Sequence, residues 1–205
     1  MKIKTKRISP RTQPITQIAG GFIFSFISFA IMAVFLISGD DALFAILVTG
    51  CMGVVGLFII FSGAAMYYTR SKMGVPDIVL SKESLMVGEA FTLNFHHTFK
   101  NNITVEGINI RLLFRETATY KQGTDTRTVT HEETFEDFEL PGGDFRAGQM
   151  LANVYEMQIP VDGMHTMKVK RNQLQWFIRI EAVIPRLADF VEEREIIVLP
   201  QLAVQ

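Results

Sequence analysis

The chain has 205 residues, 48% of them hydrophobic, and a formal net charge of −1. Residues 71–205 carry 14 Lys and Arg against 19 Asp and Glu, and this acidic balance argues against a nucleic-acid-binding protein. The single cysteine, Cys51, excludes an internal disulfide framework.

Two windows near the N-terminus contain no charged residue. They run from Thr12 to Gly39 and from Ala42 to Thr69, and each is 28 residues long. About 20 apolar residues in a helix cross the hydrocarbon core of a bilayer. A small domain could not cover two helices that are apolar all round, and the first window is too long for a signal peptide. We therefore predict a membrane hairpin with spans over about residues 16–38 and 43–69.

The charges that flank the two windows predict their orientation. The connection between them carries only Asp40 and Asp41, whereas the outer flanks carry seven basic residues, Lys2, Lys4, Lys6, Arg7, Arg11, Arg70 and Lys72. The positive-inside rule therefore predicts that both ends, and the soluble domain, lie in the cytoplasm.

Small residues recur along the second span at helix-packing spacing, at Ala45, Thr49, Gly53, Gly56 and Gly63. Such residues let helix backbones approach closely. We expect this stripe to pack the second span on the first. Because the glycines, with Gly50, cover more than one side, we also expect room for a partner helix. Neither span holds an ionisable residue, which argues against an ion or proton path through this chain alone.

Residues 73–205 are enough for one soluble domain, with residues 1–72 forming the basic N-terminus and the hairpin. Hydrophobicity alternates with period two in three segments, which indicates strands with one buried face: Phe91–Phe99, Ile108–Phe114 and Gln175–Ala182. Weaker strand signals lie near Asp77–Leu80, Asp125–Glu136, Leu151–Ile159, Thr166–Arg171 and Glu195–Leu199. Turns are expected at Val87–Glu89, Asn101–Asn102, Pro141–Gly143 and Pro160–Gly163. About eight short strands without an amphipathic helix predict an antiparallel β-sandwich.

The in-phase residues of the three clearest strands are the predicted core: Phe91, Leu93, Phe95, Ile108, Ile110, Leu112, Phe114, Trp176, Ile178 and Ile180. The out-of-phase Leu113 and Phe177 are expected on the outer face, where Phe177 would contact a partner.

Several segments together resemble one domain of an arrestin-like protein. They are the strand Val105–Glu116, the segment Tyr155–Asp162 with its Ile-Pro, and the strand Leu174–Pro185 with its Trp, followed by Ala188-Asp189 and Glu195–Pro200. The resemblance covers roughly residues 77–200. It implies an arrestin-like or immunoglobulin-like sandwich with a binding or scaffolding role. Arrestins proper differ in having two sandwich domains and no membrane hairpin.

The residues that could carry chemistry are few. Adjacent His96 and His97 would point to opposite faces of a strand, so they cannot chelate one metal as a pair, and His97 is expected as a hydrogen-bonded core residue. The acidic run 131–139 lacks calcium-loop spacing and is expected to be a solvated edge. No nucleophile–base spacing or phosphate-binding glycine loop occurs. We predict no catalytic residue, cofactor, metal or small-molecule substrate.

One basic cluster, Lys168, Lys170 and Arg171, interrupts the acidic domain. It would contact anionic headgroups or a partner; alternatively, it is a solvated strand edge guarded by lysine.

Three functions remain open on the sequence. The chain could be a non-catalytic, membrane-anchored scaffold or accessory subunit that binds other membrane-protein subunits. It could be a lone tethered adaptor that recruits a soluble protein or peptide by strand addition at a sheet edge. It could also be part of a transporter or enzyme with an unrecognised site.

Overall fold

The structure is a computed structural model that describes residues 13–38 and 43–201. Two long helices, α1 (Gln13–Ser38) and α2 (Leu43–Met73), come first. Residues 72–185 and 189–201 form one compact unit, and the helices up to Ser71, with Arg186–Ala188, form the other. The connection between the helices, residues 39–42, and the basic residues before α1 lie outside the described residues.

The unit formed by residues 72–185 and 189–201 is mostly β, and its described residues form nine strands in two sheets. The smaller sheet has the order β1-β3-β6 and is antiparallel: β1 (Asp77–Leu80), β3 (Ala90–Thr98) and β6 (Met150–Gln158). The larger has the order β2-β9-β8-β4-β5, with β7 also paired to β8: β2 (Ser84–Met86), β4 (Ile103–Gln122), β5 (Asp125–Phe145), β7 (Met167–Lys168), β8 (Asn172–Val183) and β9 (Phe190–Leu199).

Period-two burial explains these strands. In β3 the buried residues alternate with half-buried or exposed ones from Phe91 to His97, and β8 buries Trp176, Ile178 and Ile180 on one face. Every residue of the predicted core is buried. The apolar faces of both sheets are thus removed from water, which is the main favourable term in folding.

Two expectations about the sheets are wrong. β2 pairs with β9 in parallel, so the larger sheet is mixed and not wholly antiparallel. Pro141–Gly143 is not a turn, because these residues continue β5, where Pro141 lies opposite Gly107 and Gly143 opposite Val105. The β4–β5 hairpin is consequently longer than expected and reverses at Gly123 and Thr124, where Gly123 has φ +66°.

Gly142 owes its place in β5 to a close approach of two backbones. A Cβ there would lie 2.1 Å from the carbonyl oxygen of Glu106. We expect Gly142→Ala to lower the free energy of unfolding by about 1–3 kcal/mol, because backbone has to shift. The neighbouring Gly143→Ala is the control, since its Cβ would meet nothing within 4 Å. Equal unfolding free energies for the two variants in chemical denaturation would contradict this register.

Candidate functional site

The glycines of α2 face α1. A Cβ at Gly53 would lie 2.6 Å from Phe29, and one at Gly56 would lie 2.3 Å from the Ser25 hydroxyl. Gly63 faces Pro14 and Ile18 in the same way, and a Cβ at Gly50 would lie 3.4 Å from the sulfur of Met32 in α1. These glycines therefore pack α2 against α1, and the partner helix stays a prediction. Thr49 uses its hydroxyl within α2, donating to the carbonyl of Ala45 (2.8 Å).

A hydrogen bond crosses the same helix contact. The Ser25 hydroxyl is buried and donates to the carbonyl of Gly53 at 3.1 Å. Six α1 residues that contact α2 or are buried beside it recur at alternating steps of four and three: Pro14, Ile18, Gly21, Ser25, Ser28 and Met32, with Gln17 and Phe29 next to this row. This spacing is that of closely packed helix pairs.

Adjacent glycines in α1 provide a matched test of the hairpin. A Cβ at Gly21 would lie 2.9 Å from the Gly56 carbonyl oxygen, whereas one at Gly20 would meet nothing within 4 Å. We expect Gly21→Leu to destabilise the hairpin by about 1–3 kcal/mol through overpacking, and Gly20→Leu to leave it unchanged. The measurement is the thermal unfolding of the full chain in mild detergent. Equal effects at the two positions would show that α1 presents another face to α2.

The remaining helix surface is apolar. Large side chains are exposed on both helices, among them Phe22 (60%), Phe26 (76%), Phe58 (70%) and Phe61 (73%). Both helices are long and apolar enough to cross a membrane, with mean hydropathy 2.4 and 2.6 in their most apolar windows. Only 17% and 11% of those windows is buried. Neither window is mostly buried, as the window of a core helix would be.

On the larger sheet, Leu113 and Phe177 are buried, with exposures of 2% and 1%. The expectation that they lie open on the outer face, with Phe177 as a partner contact, is wrong. The two residues are directly opposed on β4 and β8, and the Arg115 guanidinium lies 4.4 Å from the centre of the Phe177 ring. Long charged side chains with apolar stems can cover such neighbours.

The cover over Phe177 is a network of ion pairs, which we call the arginine cluster. Arg111 bonds Asp137 (2.9 Å) and Glu181 (2.6 Å). Arg115 and Arg179 each bond both Glu132 and Glu193, at 2.6–3.1 Å. In each of these pairs the guanidinium donates to the carboxylate, which is the stronger, charge-assisted kind of hydrogen bond.

Electrostatics within the arginine cluster favour its charged forms. Partial burial acts to raise the pKa of Glu132, but the hydrogen bonds from Arg115 and Arg179 outweigh it, so the pKa lies below its ordinary value. For Arg111 the hydrogen bond to Asp137 raises the pKa. The arginines are therefore already matched by carboxylates of the same sheet, and their charge is used within the domain.

The basic residues expected to meet headgroups or a partner are exposed, as Lys168, Lys170 and Arg171 all lie on the surface. Lys168 forms an ion pair with Glu195, the nearest β9 neighbour of Phe177. The basic cluster of Lys168, Lys170 and Arg171 thus lies at β7 and at the turn that precedes β8, next to the polar side of the larger sheet.

The two adjacent histidines of β3 point to opposite faces of the strand and therefore differ in burial. His96 is exposed, while His97 is 2% exposed and sits between Phe95 and Phe99. His97 therefore lies in the core, as expected, but neither ring nitrogen makes a hydrogen bond of good geometry with the described residues. Burial lowers the pKa of His97 to about 4, although the nearby backbone of Met73 acts to raise it.

Little in the sequence indicates the arginine cluster. Its members lie on four strands, and Arg115 and Glu193 are 78 residues apart. The one available signal was that charged residues occupy the second phase of β4 and β8, at 111, 115, 179 and 181. Within the described residues, no group of three or more His, Cys, Asp or Glu could hold a metal ion.

The comparisons with known proteins identify no family for this chain. No family model matches the chain, and a search of curated proteins found no match. One similar solved structure is Spo0M, a sporulation control protein from Bacillus subtilis, at 15% identity and a TM-score of 0.48. The match covers 60% of this chain and 48% of Spo0M, so the chain spans about half of that protein's length. We draw no conclusion about function from a likeness at that level.

Proposed function

We propose that the chain is a membrane-anchored, non-catalytic scaffold or accessory subunit of a larger membrane protein complex. The observation that carries the proposal is the surface of the helix hairpin. Four of its glycines, Gly21, Gly53, Gly56 and Gly63, lie in the contact between α1 and α2, and its large apolar side chains point outward. Exposed apolar surface on this scale requires lipid or another apolar partner.

The helix lengths fit a bilayer. At 1.5 Å per residue, the 26 residues of α1 and the 31 of α2 exceed the roughly 20 residues that cross the hydrocarbon core of about 30 Å. Three residues, 74–76, connect α2 to β1. So short a connection suits a domain that works at the membrane surface and not one that searches far from it.

For orientation we propose that both ends face the cytoplasm, because seven basic residues flank the hairpin and none lies in its turn. We expect a reporter fused after Gln205 to be active only in the cytoplasm, and one inserted between Gly39 and Ala42 to be active only outside. The reverse pattern would overturn the orientation and the cytoplasmic location of the domain.

For the β domain we propose an arrestin-like sandwich that binds protein. The support is the resemblance in sequence together with two sheets that each bury an apolar face. The arginine cluster adds to it, because its charges are engaged with one another and so stiffen a surface. Sandwich folds host many functions, so the domain's role has to be tested on the protein itself.

The test of the subunit role is purification of the full chain from membranes in mild detergent. We expect companion proteins in stoichiometric amounts. They should be lost when the apolar surface is altered by Phe26→Ala with Phe58→Ala, and kept in Tyr120→Ala, an exposed aromatic on the β4–β5 hairpin. If the wild type purifies without companions, the subunit role fails and the tethered adaptor takes its place.

A further inference from the structure

Strand β6 is an open edge of the smaller sheet. It pairs with β3 on one side, and no described strand pairs with its other side. Just beyond its two ends, Phe99 donates to the Gln149 carbonyl and Ile159 to the Glu89 carbonyl. Because antiparallel bonding alternates, the odd-numbered residues of β6 bond β3 and the even-numbered ones turn their N–H and C=O groups outward. These even-numbered residues are also the exposed ones, with Met150 at 66% and Val154 at 64%.

The other edges are protected in the ways that edge strands usually are. β1 has four residues and follows Pro76, β2 has three residues, and β5 carries many acidic residues. β6 has nine residues, contains no Lys, Arg or Pro, and has one charged residue, Glu156. Its register with β3 runs without a bulge. A long, regular edge of this kind is a template for pairing with another strand.

We propose that β6 pairs with β6 of a second copy of this chain, antiparallel and centred on Val154, so that the two smaller sheets form one continuous sheet. In this register Val154 lies opposite the partner's Val154, Ala152 opposite the partner's Glu156, and Met150 opposite the partner's Gln158. On the other face, Leu151 meets the partner's Met157 and Asn153 meets the partner's Tyr155.

The strand complements itself in this register. The outward N–H and C=O groups of both copies come into bonded positions, apolar Leu151 and Met157 meet, and each Glu156 faces a small uncharged residue. A register centred on Glu156 would instead place the two carboxylates opposite each other. If the chain is membrane-anchored as proposed, two copies in one bilayer also gain effective concentration. That gain is the only part that rests on the proposed function.

Cysteine trapping in the full chain in mild detergent tests the register. Directly opposed bonded residues have Cα atoms about 5.5 Å apart, within the range of a disulfide. In a Cys51→Ala background we expect Val154→Cys to form a covalent dimer on mild oxidation. Ala152→Cys is the control, because residues 152 of the two copies are offset by four positions, about 13 Å. Equal trapping at both positions, or none at 154, would overturn the pairing.

The mass of the detergent-solubilised protein gives a second measurement. Once companion proteins are removed, we expect the protein mass of the wild type, corrected for bound detergent, to be twice the 23.1 kDa of one chain. Val154→Lys, which apposes two ammonium groups at the centre, should weaken dimerisation at least tenfold. The matched Val129→Lys, at an exposed valine of β5 (52%), should not. A wild type that is monomeric at all concentrations would overturn the proposed pairing. If that monomer still requires detergent to stay in solution, the proposed membrane anchor is not contradicted.

Discussion

Replacing Trp176 with Ala is expected to remove about 3–5 kcal/mol from the free energy of unfolding of the β domain, much of a single domain's stability. Trp176 is fully buried, contacts the rings of Phe114 and Phe135, and donates from its indole nitrogen to the Met164 carbonyl at 2.7 Å. The substitution therefore leaves a cavity and an unpaired carbonyl. Chemical denaturation of the full chain in mild detergent, followed by circular dichroism, measures the loss.

Phe177→Ala is expected to cost a similar amount, about 3 kcal/mol, because Phe177 is as buried as its neighbour although it faces the other way. Tyr120→Ala, at a residue 45% exposed, is the aromatic control and should cost less than about 1 kcal/mol. A Phe177→Ala loss no larger than that of Tyr120→Ala would show that the arginine cluster does not cover this ring.

The second large effect is a loss of stability in mild acid caused by His97. Burial holds its folded pKa at about 4, below the ordinary 6.5, so the unfolded chain takes up the proton more readily. This contribution to stability is fully present above pH 6.5 and is lost as the pH falls from 6.5 to about 4. A shift of this size corresponds to about 3 kcal/mol.

His97→Leu should flatten the dependence of stability on pH between 6.5 and 4, because the apolar replacement has no proton to gain between Phe95 and Phe99. His96→Leu, one residue away on the exposed face, should leave the dependence as in the wild type. Unfolding free energies measured at several pH values would contradict the account if both variants kept the wild-type slope.

Alternation in the sequence was enough to place the inner face of the domain. Residues such as Ile110, Leu112 and Ile178 follow a strict period of two, and each is buried. The same pattern misled at Leu113 and Phe177, because charged neighbours in that phase suggested solvent. Those neighbours are arginines that bond carboxylates on other strands, such as Arg115 with Glu193. A period-two pattern within one strand cannot predict ion pairs between residues on different strands.

Two further features lay beyond the sequence for similar reasons. β2 has three residues and pairs with β9 more than a hundred residues later, Ser84 lying opposite Ile197, so it has no local signal. At Pro141–Gly143 the residue types are those of a turn, but Gly142 is needed because the backbone approaches Glu106 closely. A glycine in a strand often marks such an approach.

For the helices, the charge-free windows predicted two long apolar helices, and the structure has them at Gln13–Ser38 and Leu43–Met73. Which glycines contact the neighbouring helix could not be predicted, because small residues on several sides of α2 are compatible with more than one packing. In the structure, Gly50, Gly53, Gly56 and Gly63 face α1. The large apolar side chains of α2 are therefore exposed on its other sides.

Extraction of isolated membranes with alkaline carbonate tests the central claim, that the hairpin of α1 and α2 anchors this chain in a bilayer. We expect the full chain to stay in the membrane pellet and to be released only by detergent. Phe26 and Phe58 are 76% and 70% exposed. The double variant Phe26→Lys with Phe58→Lys should move to the supernatant or fail to insert, because a charged side chain in a span raises the free energy of insertion. Recovery of the wild-type chain in the carbonate supernatant would contradict the account.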